Sequence, residues 1–327
     1  MLHPREVLHD PQVSVQHLPV CDHYSGTPER MQKSLHLQTQ MTAEFGVCVF
    51  DVTLDCEDGA AAGQEAEQAA LVTRLALDAE AGARVAVRVH PASHRSFIAD
   101  VETIAGAAGH RLTHLMVPKV ESLDDVLAAE RAVDSAGAQN LPLHVLIESP
   151  TAVQHAFEIA AHPRVQSLSF GLMDFVSAHG GAIPSSAMDA VGQFDHPLVV
   201  RAKLAIASAC HAHGKVPSHC VVTEFSDLAA IQSAASQAAN RLGFTRMWSI
   251  HPSQIRPILK AFAPTYTAVE LAAKIISAAA HAEWAPIRFQ GQLHDRASYR
   301  YYWQLLERAY RTGLTVPEDV RPWLRAA

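Results

Sequence analysis

The chain has 327 residues, 49% of them hydrophobic and 18% charged, with a formal net charge of −7. That acidic balance argues against a generic binder of nucleic acid or of an anionic membrane, and no apolar run approaches the roughly 18 residues of a membrane span. The opening "MLHPREVLHDPQ" lacks a basic stretch followed by an apolar core, and five cysteines with no CxxC read as reduced structural thiols, so the expectation is a cytoplasmic protein.

Short apolar runs alternate with helical periodicity along most of the chain. In order, the predicted strands are "VQHLPV" (15–20), "VCVFDVTL" (47–54), "ARVAVRV" (83–89), "HLMVP" (114–118), "LHVLIE" (143–148), "QSLSFG" (166–171), "KVPSHC" (215–220) and "MWSIH" (247–251). The segments between them carry apolar residues at three- and four-residue spacing. In "SLDDVLAAERAVDSAG", Ser122 and Asp125 predict a capping box and Gly137 a stop; "SDLAAIQSAASQAANRLG" follows the same plan and stops at Gly243. Eight strand–helix units predict a (β/α)8 TIM barrel over residues 1–263. No G-x-G-x-x-G follows the first strand and no Walker-type phosphate loop is present, which argues against a nucleotide-binding sheet. Beyond the last strand the pattern is helical, at 267–285 and 295–313, so 264–327 reads as a C-terminal helical extension with "PIRFQGQLH" as linker. Tyr299, Tyr301, Tyr302, Trp303 and Tyr310 make the last helix unusually aromatic, suited to a subunit interface or to docking on its own barrel.

In such a barrel the chemistry sits where strands end. Those positions hold Asp55, Glu57 and Asp58 after strand two, Arg88 and His90 after strand three, Lys119 after strand four, Glu148 after strand five and Asp174 after strand six. His219 and His251 follow strands seven and eight. Alone, Glu148 reads equally as an ion-pair or capping residue and as a ligand. With Asp174 one unit further on, two carboxylates converge in a partly dry place, where one takes up a proton unless a cation lies between them. An all-oxygen set suits Mg2+, with Mn2+ as the alternative. Arg88 can fork a substrate carboxylate, stabilise an oxyanion, or pair with the Asp55–Asp58 cluster. Lys119 reads as an ion-paired lysine rather than a Schiff-base former, and His251 as a helix cap. Twenty histidines include no HExxH, and His211 and His213 sit at a helix end with diverging side chains.

Six stretches in order, "VFDVTLDCEDGA", "VAVRVH", "LMVPKVES", "VLIESPTAV", "LSFGLMDF" and "GFTRMWSIHPSQI", resemble the citrate lyase β-subunit and malyl-CoA (citramalyl-CoA) lyase group of the HpcH/HpaI aldolases. The resemblance implies a TIM barrel assembled as a homotrimer or homohexamer, Mg2+ on Glu148 and Asp174, and Arg88 on substrate oxygens. It places Asp55, Asp58 and Lys119 beside the substrate. The tail "FQGQLHDRASYRYYWQLLERA" is similar to the end of the malyl- and citramalyl-CoA lyases, which implies that Asp295 is an acid/base reaching a neighbouring subunit's site; the same residue reads as the cap of the last helix. The chain departs from that family's pattern at Met173, where an acid is usual, at His90, where Asn is usual, and in "LPVCDHYSG", which replaces the usual first loop. The expected activity is a Mg2+-dependent carbon–carbon lyase that cleaves or forms a 3-hydroxyacyl-CoA, with an oxo acid and an acyl-CoA as partners. Its rivals are a CoA-independent pyruvate-type aldolase, a hydroxyacyl-CoA thioesterase and a non-catalytic homologue.

Overall fold

A computed structural model describes residues 2–8 and 18–325. Eight parallel strands close into a barrel: β1 Cys21–Ser25, β2 Phe50–Asp55, β3 Val85–Arg88, β4 Leu112–Val117, β5 Leu143–Ile147, β6 Val165–Phe170, β7 Val216–His219 and β8 Arg246–Ser249. β1 pairs with both β2 and β8, which leaves no edge. β2 to β8 lie on the predicted runs, but β1 does not. Residues 15–17 of that run are outside the described residues, Leu18–Val20 are not strand, and β1 is the next five residues, "CDHYS".

The polarity of β1 follows from what fills the barrel. Arg246 of β8, fully buried, pairs with Asp22 at 2.9 Å and Asp51 at 2.6 Å, while Arg84 reaches Asp51 at 2.5 Å and Thr53 donates to Asp22 at 2.7 Å. Met116, Leu146 and Trp248, with Tyr24 against them, form a separate apolar cluster. Asp22 and Tyr24 thus serve the interior, so β1 cannot read as an apolar run. The larger core lies between the strands and the surrounding helices and draws on Val52, Leu54, Val87, Leu115, Val145 and Ile147.

The helices start where local chemistry dictates. The Ser122–Asp125 capping box is formed before helix Leu123–Ser135, and Gly137 follows at φ 85°. Asp227 accepts from Ala229 and Ala230 to cap helix Leu228–Arg241, with Gly243 beyond it at φ 75°. In the extension, helices Tyr266–His281 and Arg296–Arg311 pack on each other through Ile276, Tyr299 and Trp303. The linker between them is a hairpin, β9 Ile287–Phe289 and β10 Gln292–His294, turning on Gln290 and Gly291. Both turn residues have positive φ (47° and 84°), as a two-residue turn of the I′ kind demands. Tyr299 and Trp303 are therefore spent inside the chain, and Tyr301 stays exposed. Helix Pro4–Leu8 joins this second core through Leu8 and an Arg5–Glu307 ion pair at 2.7 Å, so this N-terminal helix packs on the extension.

Candidate active site

The strand ends bring Arg88, Lys119, Glu148, Asp174 and the Asp55–Asp58 segment to one rim. Asp55 ends β2 and Arg88 ends β3, and their side chains meet as a fork, Nε to Oδ1 at 2.7 Å and Nη2 to Oδ2 at 3.0 Å. Nη1 of Arg88 lies 3.0 Å from Glu57, whose other oxygen is 2.7 Å from Lys119 Nζ; Asp58 is 3.5 Å from the same ammonium. Burial alone would raise Asp55, but its bonds to Arg88 outweigh that and hold it below the ordinary carboxylate value. Burial raises Glu57 despite both cations. Lys119 is held well above the usual lysine value: Glu57, Asp58 and Asp174 outweigh its desolvation. It is firmly an ammonium, which argues against Schiff-base chemistry.

Glu148 follows β5 and is 6% exposed. Its Oε1 accepts the Lys119 backbone N–H at 2.6 Å, a bond that helps hold Lys119 in a left-handed conformation (φ 50°). Its Oε2 faces Gly171, where any Cβ would sit 2.4 Å from it. Asp174 arrives from the first turn of helix Leu172–Ser177, which follows β6 at once. Burial, then the charge of Asp174, pushes Glu148 up to about 8. The five rim carboxylates face two cations, and Asp55, Glu57 and Asp58 already engage both. Glu148 and Asp174 have no ion-pair partner among the described residues. Two converging carboxyl groups without a cationic partner fit a hard divalent cation that takes oxygen ligands.

Other predicted positions are accounted for by the fold. His90 bonds Asp100 at 2.6 Å and stacks on His94. His219 is buried between Phe194 and Phe244. His251 caps helix Pro252–Phe262, as expected. Asp295 accepts from the backbone of Ala297 and Ser298, and among the described residues all its hydrogen bonds are to its own helix. Sequence reasoning missed Tyr24. Its hydroxyl bonds both Asp55 and Arg88, and its ring stacks on Trp248 at 5.7 Å. The signal was the polar "CDHYSG", which closes on a glycine before the Thr27–Pro28 helix start.

Deeper in the barrel, ligand atoms of Asp22, His114 and His144 lie within 4.8 Å of one another. Arg246 already holds Asp22, and the two imidazoles stack face to face at 3.4 Å and 12°. No single ion can lie in both ring planes, so this cluster is a poor metal site compared with the rim.

A family model described as HpcH/HpaI aldolase/citrate lyase matches residues 35–252. An L-malyl-CoA/beta-methylmalyl-CoA lyase of Cereibacter sphaeroides is 32% identical over 269 residues, covering 76% of this chain and 84% of the relative. The crystal structure of a citrate lyase from Burkholderia xenovorans LB400 superposes with a TM-score of 0.82 at 47% identity, covering 98% of this chain and 99% of the other. A citrate lyase beta subunit from Mycobacterium tuberculosis, complexed with oxaloacetate and magnesium, gives 0.59 at 25% identity, covering 76% and 98%.

Proposed function

The chain belongs to the HpcH/HpaI aldolase/citrate lyase family, and from that premise we propose a Mg2+-dependent carbon–carbon lyase that acts on a 3-hydroxyacyl-CoA such as malyl-, citramalyl- or citryl-CoA. The observation that carries the reading is the unpaired couple Glu148 and Asp174 on a rim whose two cations are already engaged. The magnesium-bound relative and the malyl-CoA lyase relative support it.

Glu148 and Asp174 would hold Mg2+, which would supply Lewis-acid chemistry to the substrate's oxygens. Glu148 is aimed for that task by the Lys119 N–H and by the absence of a side chain at Gly171. Arg88, fixed by Asp55, presents positive charge to the enolate oxygen left when the C–C bond breaks. Lys119 keeps Glu57 and Asp58 turned toward itself, which limits their repulsion of an anionic substrate. Asp295, the cap of the last helix, is the proposed acid/base that returns the proton to the α-carbon from a neighbouring copy. The proposed assembly is a homotrimer or homohexamer, with 264–327 as the contact segment.

The test is a screen of malyl-, citramalyl- and citryl-CoA and of free 4-hydroxy-2-oxo acids, with Mg2+ and with a chelator. Oxo acid and acyl-CoA appear together, only with metal, and vanish in Glu148→Gln and Asp174→Asn. Release of free CoA with an intact hydroxy diacid would make the protein a thioesterase, and cleavage of free acids alone would remove CoA from the reaction.

A further inference from the structure

Arg88 has five N–H groups, and most are already spoken for. Asp55 takes Nε and one N–H of Nη2, the Tyr24 hydroxyl takes the other N–H of Nη2, and Glu57 takes one on Nη1. The Tyr24 hydroxyl also donates to Asp55, so Tyr24, Asp55 and Arg88 form a closed triangle. The Tyr24 ring lies under the guanidinium, with Cζ 4.6 Å from its centroid, and is backed by Trp248. Trp248 is tied in turn to Ser169 by an Nε1–Oγ bond of 3.2 Å. Three contacts of different kinds thus converge on one side of Arg88: a bidentate carboxylate, a hydroxyl and an aromatic face.

We infer that Tyr24 is a positioning residue: with Asp55 it locks the Nε and Nη2 side of Arg88, so that an anionic substrate oxygen meets Arg88 through Nη1 alone. Glu57 takes one N–H of that nitrogen, and the substrate oxygen takes the other while Lys119 holds Glu57 in place. Burial keeps the Tyr24 phenol far above the usual tyrosine value, so it acts as a neutral hydrogen-bonding group and not as a base. The inference rests on the reading that Arg88 meets substrate.

Tyr24→Phe removes the hydroxyl and keeps the ring between Arg88 and Trp248. A loosened Arg88 grips the substrate oxygen less well and stabilises the enolate less, so KM rises and kcat falls with it. The expected result is a rise of about tenfold in KM for the hydroxyacyl substrate, the size of one hydrogen bond to a charged group. The Kd for oxalate in the presence of Mg2+, a stable stand-in for the oxo acid, rises by a similar factor. kcat falls by up to about tenfold, Mg2+ affinity stays at the wild-type value, and the melting temperature drops by a few degrees because Asp55 and Arg88 each lose a buried partner. Trp248→Phe, which keeps the hydroxyl and loosens the stack behind it, gives a smaller rise in the same direction and serves if the first variant folds poorly. Wild-type KM and oxalate binding in Tyr24→Phe would overturn the inference. So would a hundredfold loss in kcat at unchanged KM, because Tyr24 would then belong to the chemistry itself. If the wild-type protein binds no oxalate with Mg2+, the proposed function fails first and the role of Tyr24 falls with it.

Discussion

Glu148 concentrates the physical argument in one side chain. Its carboxyl is buried beside Asp174 and sits at about 8 instead of its ordinary 4.5. Without metal, the folded protein holds a proton there that the unfolded chain has already lost. That contribution to stability is complete below pH 4.5 and is lost as pH rises through 8. Mg2+ competes with the proton, so its apparent affinity weakens by about tenfold per unit below pH 8. The rise in melting temperature on adding Mg2+ is therefore larger at pH 8 than at pH 6, and Glu148→Gln removes most of it. A metal-induced rise that does not depend on pH would contradict this account. Gly171→Ala tests the same carboxylate from the other side. A Cβ 2.4 Å from Oε2 forces Glu148 to move, and turnover drops by about a hundredfold or more while the barrel still folds. Glu148, Arg88 and Lys119 were legible in the sequence because each ends an apolar run, and Asp174 because it follows one within three residues. Tyr24 was not, because its own strand is polar.

At the scale of elements, the seven strands from β2 onward were readable because at least one of their faces packs on the helices. β1 was misplaced because its residues serve the interior network around Arg246. That network gives the second kind of test. Arg246→Met leaves buried Asp22 without its arginine and Asp51 with Arg84 alone, and costs about 3–5 kcal/mol in chemical denaturation. Ser122→Ala removes one arm of a capping box at the surface and costs about 1 kcal/mol by the same measurement. Equal effects for the two variants would mean that the interior charges are not coupled as described. The hairpin β9–β10 escaped notice because its strands are only three residues long, which leaves only the Gln-Gly turn as a signal.

For the whole molecule, the sequence was enough to set the barrel apart from its helical tail, but not to show that the tail has its own apolar core or that the N-terminal helix belongs to it. Groups 292 residues apart in sequence, such as the Arg300 side chain and the Leu8 backbone carbonyl, leave no local pattern. The tail's proposed role is also collective: Asp295 acts on a neighbour's rim. Mixing inactive Glu148→Gln and Asp295→Ala proteins, after dissociation and reassembly, restores about a quarter of wild-type activity when each site draws on two subunits in a cyclic assembly. No restored activity would confine each site to one chain.

The most direct test of the central claim follows both products of one reaction. The wild-type protein with Mg2+ converts a 3-hydroxyacyl-CoA into oxo acid and acyl-CoA in equal amounts, and chelator, Glu148→Gln or Asp174→Asn each abolish both products. Full conversion by either variant, or by the wild-type protein in chelator, would contradict the assignment of Glu148 and Asp174 as the metal-binding pair.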